Sequence, residues 1–334
     1  MIKRHANVAI FVPHAGCPCQ CRFCNQRHIA GQHRFPSAED VQNACETAKR
    51  TLPDGAKAQI AFFGGSFTAI ERDAMVGLLN AAAPYVKSGD FSGIRVSTRP
   101  DAIDEDVLAI LKSYGVTTVE LGAQSMDDAV LKRCQRGHTA KHVEDAARLI
   151  HKVGLSLGLQ MMTGLPGDTD EGALRTARAL AALTPDEVRI YPTLVIEGSP
   201  LAEDYRNGTY TPQMLEEAVA LCVRLLTFFE EERGIPVIRL GLHAEEEMMR
   251  HRVAGPWHPA FRELCESRIF REKAERLLKE TQKTNVVLAV HPACVSRMVG
   301  HRRENLTAFR ENGYTVKVVA DSEMAYGEIK EVIT

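Results

Sequence analysis

The stretch Val8-Ala9-Ile10-Phe11-Val12-Pro13-His14-Ala15-Gly16-Cys17-Pro18-Cys19-Gln20-Cys21-Arg22-Phe23-Cys24 joins a short apolar run to a loop with four crowded cysteines. The apolar run has the length and composition of a buried strand. Apolar positions at helical spacing follow over Ala38–Thr51 and predict a helix there. A strand that leads through a loop into a helix is the repeating unit of α/β folds.

The same unit recurs as far as residue 242. Strands are predicted at Val8–Val12, Gln59–Phe63, Gly93–Ser97, Thr118–Gly122, Ser156–Met162 and Glu187–Pro192, with a seventh candidate at Pro236–Leu240. Helices between them are predicted at Ala38–Thr51, Ala74–Val86, Asp104–Tyr114, Lys141–Val153 and Gly172–Leu183. Because about six units fall short of the eight in a closed barrel, we expect an α/β fold of the partial (β/α)6 TIM-like barrel type.

The pattern changes after residue 242. Charged helices are predicted at Ala244–His251 and Pro259–Gln282. The last part is predicted as a strand, two helices and a strand, at Asn285–Val290, Ala293–Val299, Glu304–Glu311 and Thr315–Ala320. We therefore expect a barrel domain over residues 1–242, a helical extension over 243–283 and a small C-terminal α+β segment over 284–334.

Composition narrows the class of protein. The chain has 334 residues, of which 45% are hydrophobic, and a net charge of −2. This length and hydrophobic content suffice for a large core. There is no whole-chain basic field, so any contact with nucleic acid must be local. The apolar run near the N-terminus is too short for a signal segment or a membrane span, which predicts a soluble, cytoplasmic protein without membrane contact.

Cysteine usage indicates a metal site. The chain has nine cysteines, an odd number, and four of them lie between Cys17 and Cys24. A disulfide framework would instead spread paired cysteines through a short secreted chain. We expect the other five to be ordinary buried thiols, because free cysteine behaves as a small hydrophobic residue. These are Cys45, Cys134, Cys222, Cys265 and Cys294.

Two metal groups fit the crowded cysteines. Cys17, Cys21 and Cys24 have a C-x3-C-x2-C spacing, and soft thiolates select iron–sulfur clusters or zinc. Three thiolates would leave one iron of a [4Fe–4S] cluster open to a ligand from outside the protein. A structural zinc site needs four protein ligands, so Cys19, His14 or His28 would have to complete it. Spacing alone leaves both readings open.

Further distinctive residues follow other predicted strands. These segments are Gly64-Gly65-Ser66-Phe67, Thr98-Arg99-Pro100-Asp101, Ala123-Gln124-Ser125 and Thr163-Gly164-Leu165-Pro166-Gly167. Because the carboxyl ends of parallel strands meet at one edge of a sheet, and functional loops gather there, we expect these segments and the cysteine loop to share one site.

Together these motifs resemble the radical S-adenosylmethionine (SAM) superfamily. The cysteine spacing, with Phe23 before the third cysteine, is similar to the family motif, and Gly64-Gly65-Ser66-Phe67 resembles its GGxP-type segment with Phe67 in place of proline. Residues 98–101, 120–125 and 136–139 resemble the branch that contains the elongator subunit Elp3 and the oxygen-independent coproporphyrinogen oxidases. The resemblance covers about residues 8–240.

The resemblance implies cofactors and a reaction. Cys17, Cys21 and Cys24 would bind three irons of a [4Fe–4S] cluster, and SAM would chelate the fourth. An electron from the cluster would cleave SAM to a 5′-deoxyadenosyl radical that takes hydrogen from a substrate, while the protein supplies position and shielding. The implied electron donor is a flavodoxin or ferredoxin.

The resemblance also assigns SAM contacts to particular residues. Gly64 and Gly65 would allow close approach of the backbone, Gln124 and Arg136 would bind polar groups, and Gln160 would bind the ribose. A guanidinium fork suits a carboxylate. Ser97 stands where the coproporphyrinogen branch has a glutamate, and we expect it near the amino group of SAM. The assigned set is Gly64, Gly65, Ser97, Gln124, Arg136 and Gln160.

The C-terminal part bears on the substrate. Elp3 carries an acetyltransferase domain after the radical SAM part, and this sequence is expected to lack one, as the short bacterial Elp3-like proteins do. Gly300-His301-Arg302-Arg303 resembles the GxxG loop of a KH module, which binds RNA, without its second glycine. Together with Arg297 and Arg310 it forms a local basic group.

Three functions of different classes follow from the sequence. The first is a radical SAM enzyme that acts on RNA, in particular tRNA. The second is a radical SAM enzyme that acts on a small molecule such as a tetrapyrrole. The third is a non-catalytic protein that binds metal or RNA.

Overall fold

The computed structural model describes most of the chain. The described residues are 6–12, 17, 21–25, 34–53, 57–242, 246–281 and 283–332.

A curled sheet of seven parallel strands dominates the fold, and its strand order follows the chain apart from one short strand that lies elsewhere. The strands of this sheet are β1 (Ala6–Val12), β2 (Ala58–Gly64), β3 (Ile94–Thr98), β4 (Val116–Gln124), β5 (Ser156–Thr163), β6 (Glu187–Pro192) and β8 (Val237–Leu240). Helices surround the sheet, so the prediction of a partial TIM-like α/β barrel is confirmed. The seventh candidate strand is β8, which pairs with β6 at the edge of the sheet.

Helices follow most of these strands. They are α1 (Ala38–Thr51), α2 (Arg72–Lys87), α3 (Glu105–Ser113), α4 (Asp128–Arg133), α5 (Ala140–Lys152), α6 (Asp170–Ala182), α7 (Pro200–Arg206) and α8 (Leu215–Leu226). Capping side chains stabilise the N-termini of several of these helices. Ser37 and Asp40 form a reciprocal capping box at α1, and the Asp104 side chain accepts from the amide of Val107 at α3. No helix in the described part of the chain is long and apolar enough to cross a membrane.

The two faces of the curled sheet differ in polarity. Toward the helices the strands present fully buried apolar side chains, such as Phe62, Leu121 and Leu159. Alternate residues face the other way, because side chains on a strand point to opposite faces in turn. On this concave face several of those residues are charged, which differs from the apolar layers that fill a closed barrel.

A buried ionic ladder crosses the concave face. Arg95 on β3 forms an ion pair with Glu187 on β6, and its Nη1 lies 3.4 Å from Oε2 of Glu120 on β4. The same Glu120 oxygen lies 2.6 Å from Nε of Arg189 on β6. Gln59 accepts two hydrogen bonds from Arg95, at 3.1 and 3.0 Å. Arg95 is only 1% exposed, so this ladder is shielded from water.

Further elements lie outside the seven-stranded sheet and the helices given above. They are the short strands β7 (Val195–Ile196) and β9 (Arg252–Ala254), helices α9 (Glu246–Arg250), α10 (Phe261–Glu280), α11 (Val295–Val299) and α12 (Glu304–Glu311), and strands β10 (Asn285–Val290), β11 (Thr315–Ala320) and β12 (Ile329–Glu331). The helix predicted at Ala244–His251 is present as α9 over Glu246–Arg250, while the start of the predicted range lies outside the described residues. Strand β9 follows α9 and pairs with β7.

The chain divides into two compact units. The first comprises Met1–Met214 and Phe228–Trp257, and the second Leu215–Thr227 and His258–Thr334. In the second unit, β10 pairs in parallel with β11 and antiparallel with β12. Its core contains Phe270, Leu288 and Phe309. The predicted strand, two helices and strand are therefore present with β12 added, while the three-part division at residues 242 and 283 stays a prediction.

We predict that breaking the ladder destabilises the protein. Replacement of Glu187 by alanine leaves the buried Arg95 guanidinium without its closest carboxylate, so the free energy of unfolding should fall by about 3 kcal/mol. The matched control is Glu105→Ala, which removes an ion pair with Lys152 whose side chains are 66% and 64% exposed. Its cost should stay below about 1 kcal/mol. Urea denaturation measures both, and equal losses would contradict the importance of the ladder.

Candidate functional site

The loop after β2 packs directly against the end of β1. The amide of Gly65 donates a 2.7 Å hydrogen bond to the carbonyl of Val12. Gly64 has φ +106°, and a Cβ on it would lie 3.0 Å from the carbonyl oxygen of Val12. Both the backbone conformation and the close approach therefore require glycine at this position. The first two strand ends are thus held together without an intervening side chain.

A chain of hydroxyls joins the loops after β2 and β3. The Ser66 and Thr98 oxygens are 2.8 Å apart, and Thr98 is 2.6 Å from the hydroxyl of Thr68. Thr68 donates to the carbonyl of Ala102, and the Arg99 amide donates to Ser66. The sequence motifs predicted that these two segments belong to the site, but they assigned no role to the hydroxyl groups. The available signal was the presence of a hydroxyl residue just after two adjacent strand ends.

The cysteine loop is anchored on several sides. The amide of Cys24 donates to the carbonyl of Cys21 at 3.0 Å, which forms a tight turn. Arg22 binds the carboxylate of Asp204 through two nitrogens, with Nε at 2.9 Å. Phe23 is buried in an apolar cluster that also contains Cys21 and Cys134. The aromatic residue before the third cysteine therefore fixes the loop by packing.

Cys17 lies beside the loop after β2. Burial raises the pKa of its thiol, whereas the nearby Arg136 guanidinium and a hydrogen bond from the Ser66 amide favour the thiolate. Nη1 of Arg136 also lies 3.4 Å from the sulfur of Cys21. Cys17, Cys21 and the glycine loop are thus brought to one place, with a cation beside the two sulfurs.

The residues that would complete a zinc site lie outside the described part of the chain. They are Cys19, His14 and His28. Among the residues that are described, no three His, Cys, Asp or Glu side chains converge on a position for a single metal ion. In a cubane each thiolate binds a separate iron, so its three sulfurs do not need to converge on one point. The five scattered cysteines are all buried, as expected.

The predicted SAM contacts on β4 and β5 lie side by side. Nε2 of Gln160 donates to Oε1 of Gln124 at 3.4 Å. Gln124 has φ +67°, a left-handed conformation that is rare outside glycine, at an irregularity in the β4–β5 pairing. A Cβ on Gly122 would lie 2.8 Å from Nη2 of Arg136 and 3.1 Å from Nε2 of Gln124. Gly122 therefore makes room for both side chains.

Arg136 is buried, and only part of its guanidinium is satisfied. Nη2 donates to the carbonyl of Gly122 at 2.8 Å. Nε is buried and has no hydrogen-bond partner within the described ranges. A buried donor without a partner is costly, so this geometry suits an anionic ligand at Arg136.

Ser97 has a different neighbourhood from the other predicted contacts. Its hydroxyl donates to Oε1 of Glu120 at 3.2 Å, so it is tied to the ionic ladder. The other five predicted residues lie at strand ends or beside Gln124. A role for Ser97 toward SAM stays a prediction.

His138 is a buried neutral side chain. Burial and the charge of Arg136 lower the pKa of its imidazole to about 4, so the ring is neutral at pH 7. Its Nε2 lies 3.1 Å from the carbonyl of Ala123, an arrangement that places the proton on Nε2. The sequence assigned this residue no role, and the structure shows that it supports the loop after β4.

Comparisons with known proteins match the chain to two family models and to several relatives. Residues 11–180 match the family model described as the radical SAM superfamily, and residues 185–271 match that of the radical SAM C-terminal domain. A tRNA uridine(34) acetyltransferase of Dehalococcoides mccartyi is 28% identical over 239 residues, which cover 61% of this chain and 52% of that protein. Human elongator complex protein 3 is 32% identical over 155 residues, which cover 43% of this chain and 28% of that protein.

The fold also has solved counterparts. The archaeal Elp3 of Methanocaldococcus infernus, with an N-terminal deletion, superimposes with a TM-score of 0.64 at 21% identity, over 82% of this chain and 64% of that one. At this identity the likeness concerns the fold. The chain spans about half the length of the Dehalococcoides mccartyi relative and less than a third of the human one.

We predict that Gly64 is required for the site to form. Gly64→Ala forces a side chain onto a left-handed backbone and against the Val12 carbonyl, and should cost about 2 kcal/mol of unfolding free energy. Gly77→Ala is the control, because Gly77 lies inside α2 and its Cβ would meet nothing within 4 Å. That change should stabilise the protein by up to about 1 kcal/mol. Similar values for the two variants in urea denaturation would refute the prediction.

Proposed function

The chain belongs to the radical SAM superfamily, and from that premise we propose that it reductively cleaves SAM at a [4Fe–4S] cluster. The observation that carries the proposal is the meeting of Cys17 and Cys21 with Arg136 and the glycine loop after β2. Cys24 follows Cys21 in a hydrogen-bonded turn and completes the thiolate set. When bound, the cluster and SAM supply an electron and a sulfonium whose cleavage yields a 5′-deoxyadenosyl radical.

The residues around the cysteines fit these cofactors. Three thiolates are the soft ligands that an iron–sulfur cluster needs, and the Arg136 cation stabilises thiolate charge beside Cys21. Nε of Arg136, which no described residue binds, offers a donor to the SAM carboxylate. Gly64 and Gly65 allow the backbone to approach SAM closely, since neither carries a side chain. The role of this edge of the sheet is to bind the cluster and SAM, to orient them and to shield them from water.

Gln124 and Gln160 are proposed to position the nucleoside half of SAM. Their amide groups are already in contact and face the same side of the sheet. Ser97 is proposed to bind the SAM amino group only after its hydroxyl turns away from Glu120. The neutral His138 holds the Ala123 carbonyl and thereby keeps the Gln124 backbone in place.

We propose tRNA as the substrate class, in the cytoplasm, with a flavodoxin or ferredoxin as electron donor. Support comes from the similarity to tRNA uridine(34) acetyltransferases. The loop 301–303 adds a local feature, because His301, Arg302 and Arg303 are exposed. Arg297 is less available than the sequence suggested, since it forms an ion pair with Glu266. A small molecule such as a tetrapyrrole is the alternative substrate.

We predict that the cysteines of the loop, and not the buried thiols elsewhere, hold the cluster. After anaerobic reconstitution the protein should contain about four irons and four sulfides per chain and form 5′-deoxyadenosine from SAM and dithionite. Cys21→Ala should lose the iron and the activity. Cys45→Ala, which removes a fully buried thiol from α1, should retain both. A colourless zinc protein, or a Cys21→Ala variant that still cleaves SAM, would refute the proposal.

We predict that loop 301–303 contributes to tRNA binding. The double variant Arg302→Gln, Arg303→Gly removes two charges and relieves the left-handed backbone at Arg303, so it should fold. Its affinity for bulk tRNA should fall, and the slope of log affinity against log salt should decrease by about two. The control is Arg175→Gln, Arg178→Gln on α6, which removes the same charge from another exposed surface. Equal effects of the two variants, or no stimulation of SAM cleavage by tRNA, would contradict the RNA assignment.

A further inference from the structure

Two arginines stand directly opposite each other on the concave face. Arg189 on β6 and Arg239 on β8 are register partners, because an irregularity between Val188 and Arg189 shifts the pairing by one residue. Residues opposite each other on adjacent strands point to the same face. Like charges in this position repel each other and destabilise a sheet. A nearby negative charge would offset the repulsion between the two guanidiniums.

Arg189 has its compensation within the protein. Its Nε lies 2.6 Å from Glu120, and its guanidinium lies over the ring of Phe63 at 5.1 Å. Nη1 donates to the hydroxyl of Tyr191 at 3.4 Å. Because this hydroxyl accepts from Arg189, its own proton is free to be donated elsewhere.

Arg239 lacks such compensation. Its Nε donates to the carbonyl of Gly241 at 2.9 Å, and no carboxylate in the described part of the chain pairs with it. Burial and the neighbouring Arg189 lower the pKa of its guanidinium, which reflects an environment that disfavours the charge. On the concave face three guanidiniums, of Arg95, Arg189 and Arg239, are thus set against the carboxylates of Glu120 and Glu187.

The uncompensated charge lies near the proposed SAM contacts. Arg189 is the register partner of Gln160 on β5, and Gln160 contacts Gln124. Tyr191 is two residues closer to the carboxyl end of β6, on the same face as Arg189. A group bound between Arg239 and Tyr191 would therefore sit inside the curl of the sheet, beside the nucleoside end of SAM.

We propose that Arg189, Arg239 and Tyr191 form a subsite for an oxyanion, a carboxylate or a phosphate, carried by the substrate. The two guanidiniums present forked donors that match oxyanion geometry, and Tyr191 adds a hydroxyl donor. The bound anion neutralises the charge that the ladder leaves uncompensated. That its carrier is the molecule attacked by the radical rests on the proposed function; the anion site itself does not.

The test is direct binding to the reconstituted full-length chain. Acetate and inorganic phosphate are titrated separately by calorimetry at low ionic strength, both without SAM and with saturating SAM, and the tighter of the two identifies the anion. We expect one saturable site per chain. Arg239→Gln should weaken binding by at least about tenfold, as expected for loss of a charged hydrogen bond. Arg233→Gln, an exposed arginine that lies over Phe228, is the control and should bind within twofold of wild type.

Tyr191→Phe provides a second variant that removes only a hydroxyl and keeps every charge. It should weaken the same binding by about three- to tenfold, which corresponds to one hydrogen bond. Failure of wild type to bind either anion would overturn the subsite. So would full binding by Arg239→Gln, or anion binding that saturating SAM abolishes, since SAM would then occupy these arginines itself.

SAM cleavage measured on the same preparations separates this inference from the proposed function. A chain that binds the anion at Arg239 but forms no 5′-deoxyadenosine supports the subsite and refutes the radical chemistry. A chain that forms 5′-deoxyadenosine but binds neither anion refutes the subsite alone.

Discussion

The ion pair between Arg95 and Glu187 is the constraint on which the shape of the sheet depends. Arg95 is on β3 and Glu187 on β6, with β4 and β5 between them. In a flat sheet three strand spacings amount to about 14 Å, which is beyond the reach of such a pair. The contact therefore requires the sheet to curl toward its polar face. Both charges are buried, so flattening the sheet would leave each of them unpaired at a high cost in free energy. That penalty stabilises the curl.

The same curl creates the site. As the sheet bends, the carboxyl ends of β1 to β5 turn toward one another, and the loops after them come into contact. Glycine is needed at the closest approaches, at Gly64 against Val12 and at Gly122 beneath Arg136. A closed eight-stranded barrel fills its interior with apolar side chains. Here the described sheet runs from β1 to β8 without closing, and paired charged side chains line its concave face.

Sequence reasoning recovered the elements well, because their patterns are local. The bounds of α1 and β6 agree with the prediction, since a capped amphipathic helix and an apolar strand are read from neighbouring residues. The cysteine spacing located the loop for the same reason. The ladder was missed because charged residues in a strand pattern are ordinarily assigned to solvent, and only the curvature of the sheet brings Arg95, Glu120 and Glu187 together. Ser97 was assigned to SAM because it stands where the coproporphyrinogen branch has a glutamate, and that resemblance could not reveal its bond to Glu120.

The two halves of the site follow different physical rules. At the strand ends the backbone does most of the positioning: glycines, amides and carbonyls hold Cys17, Cys21 and Arg136, and such contacts depend on the fold more than on side-chain identity. Inside the curl, charged side chains define what can bind. There Glu120 and Glu187 are both paired within the ladder that maintains the curvature. The edge strand β8 adds a further cation, Arg239, and no carboxylate among the described residues is left to pair with it. The interaction that bends the sheet thereby also sets the sign of the charge that its interior accepts.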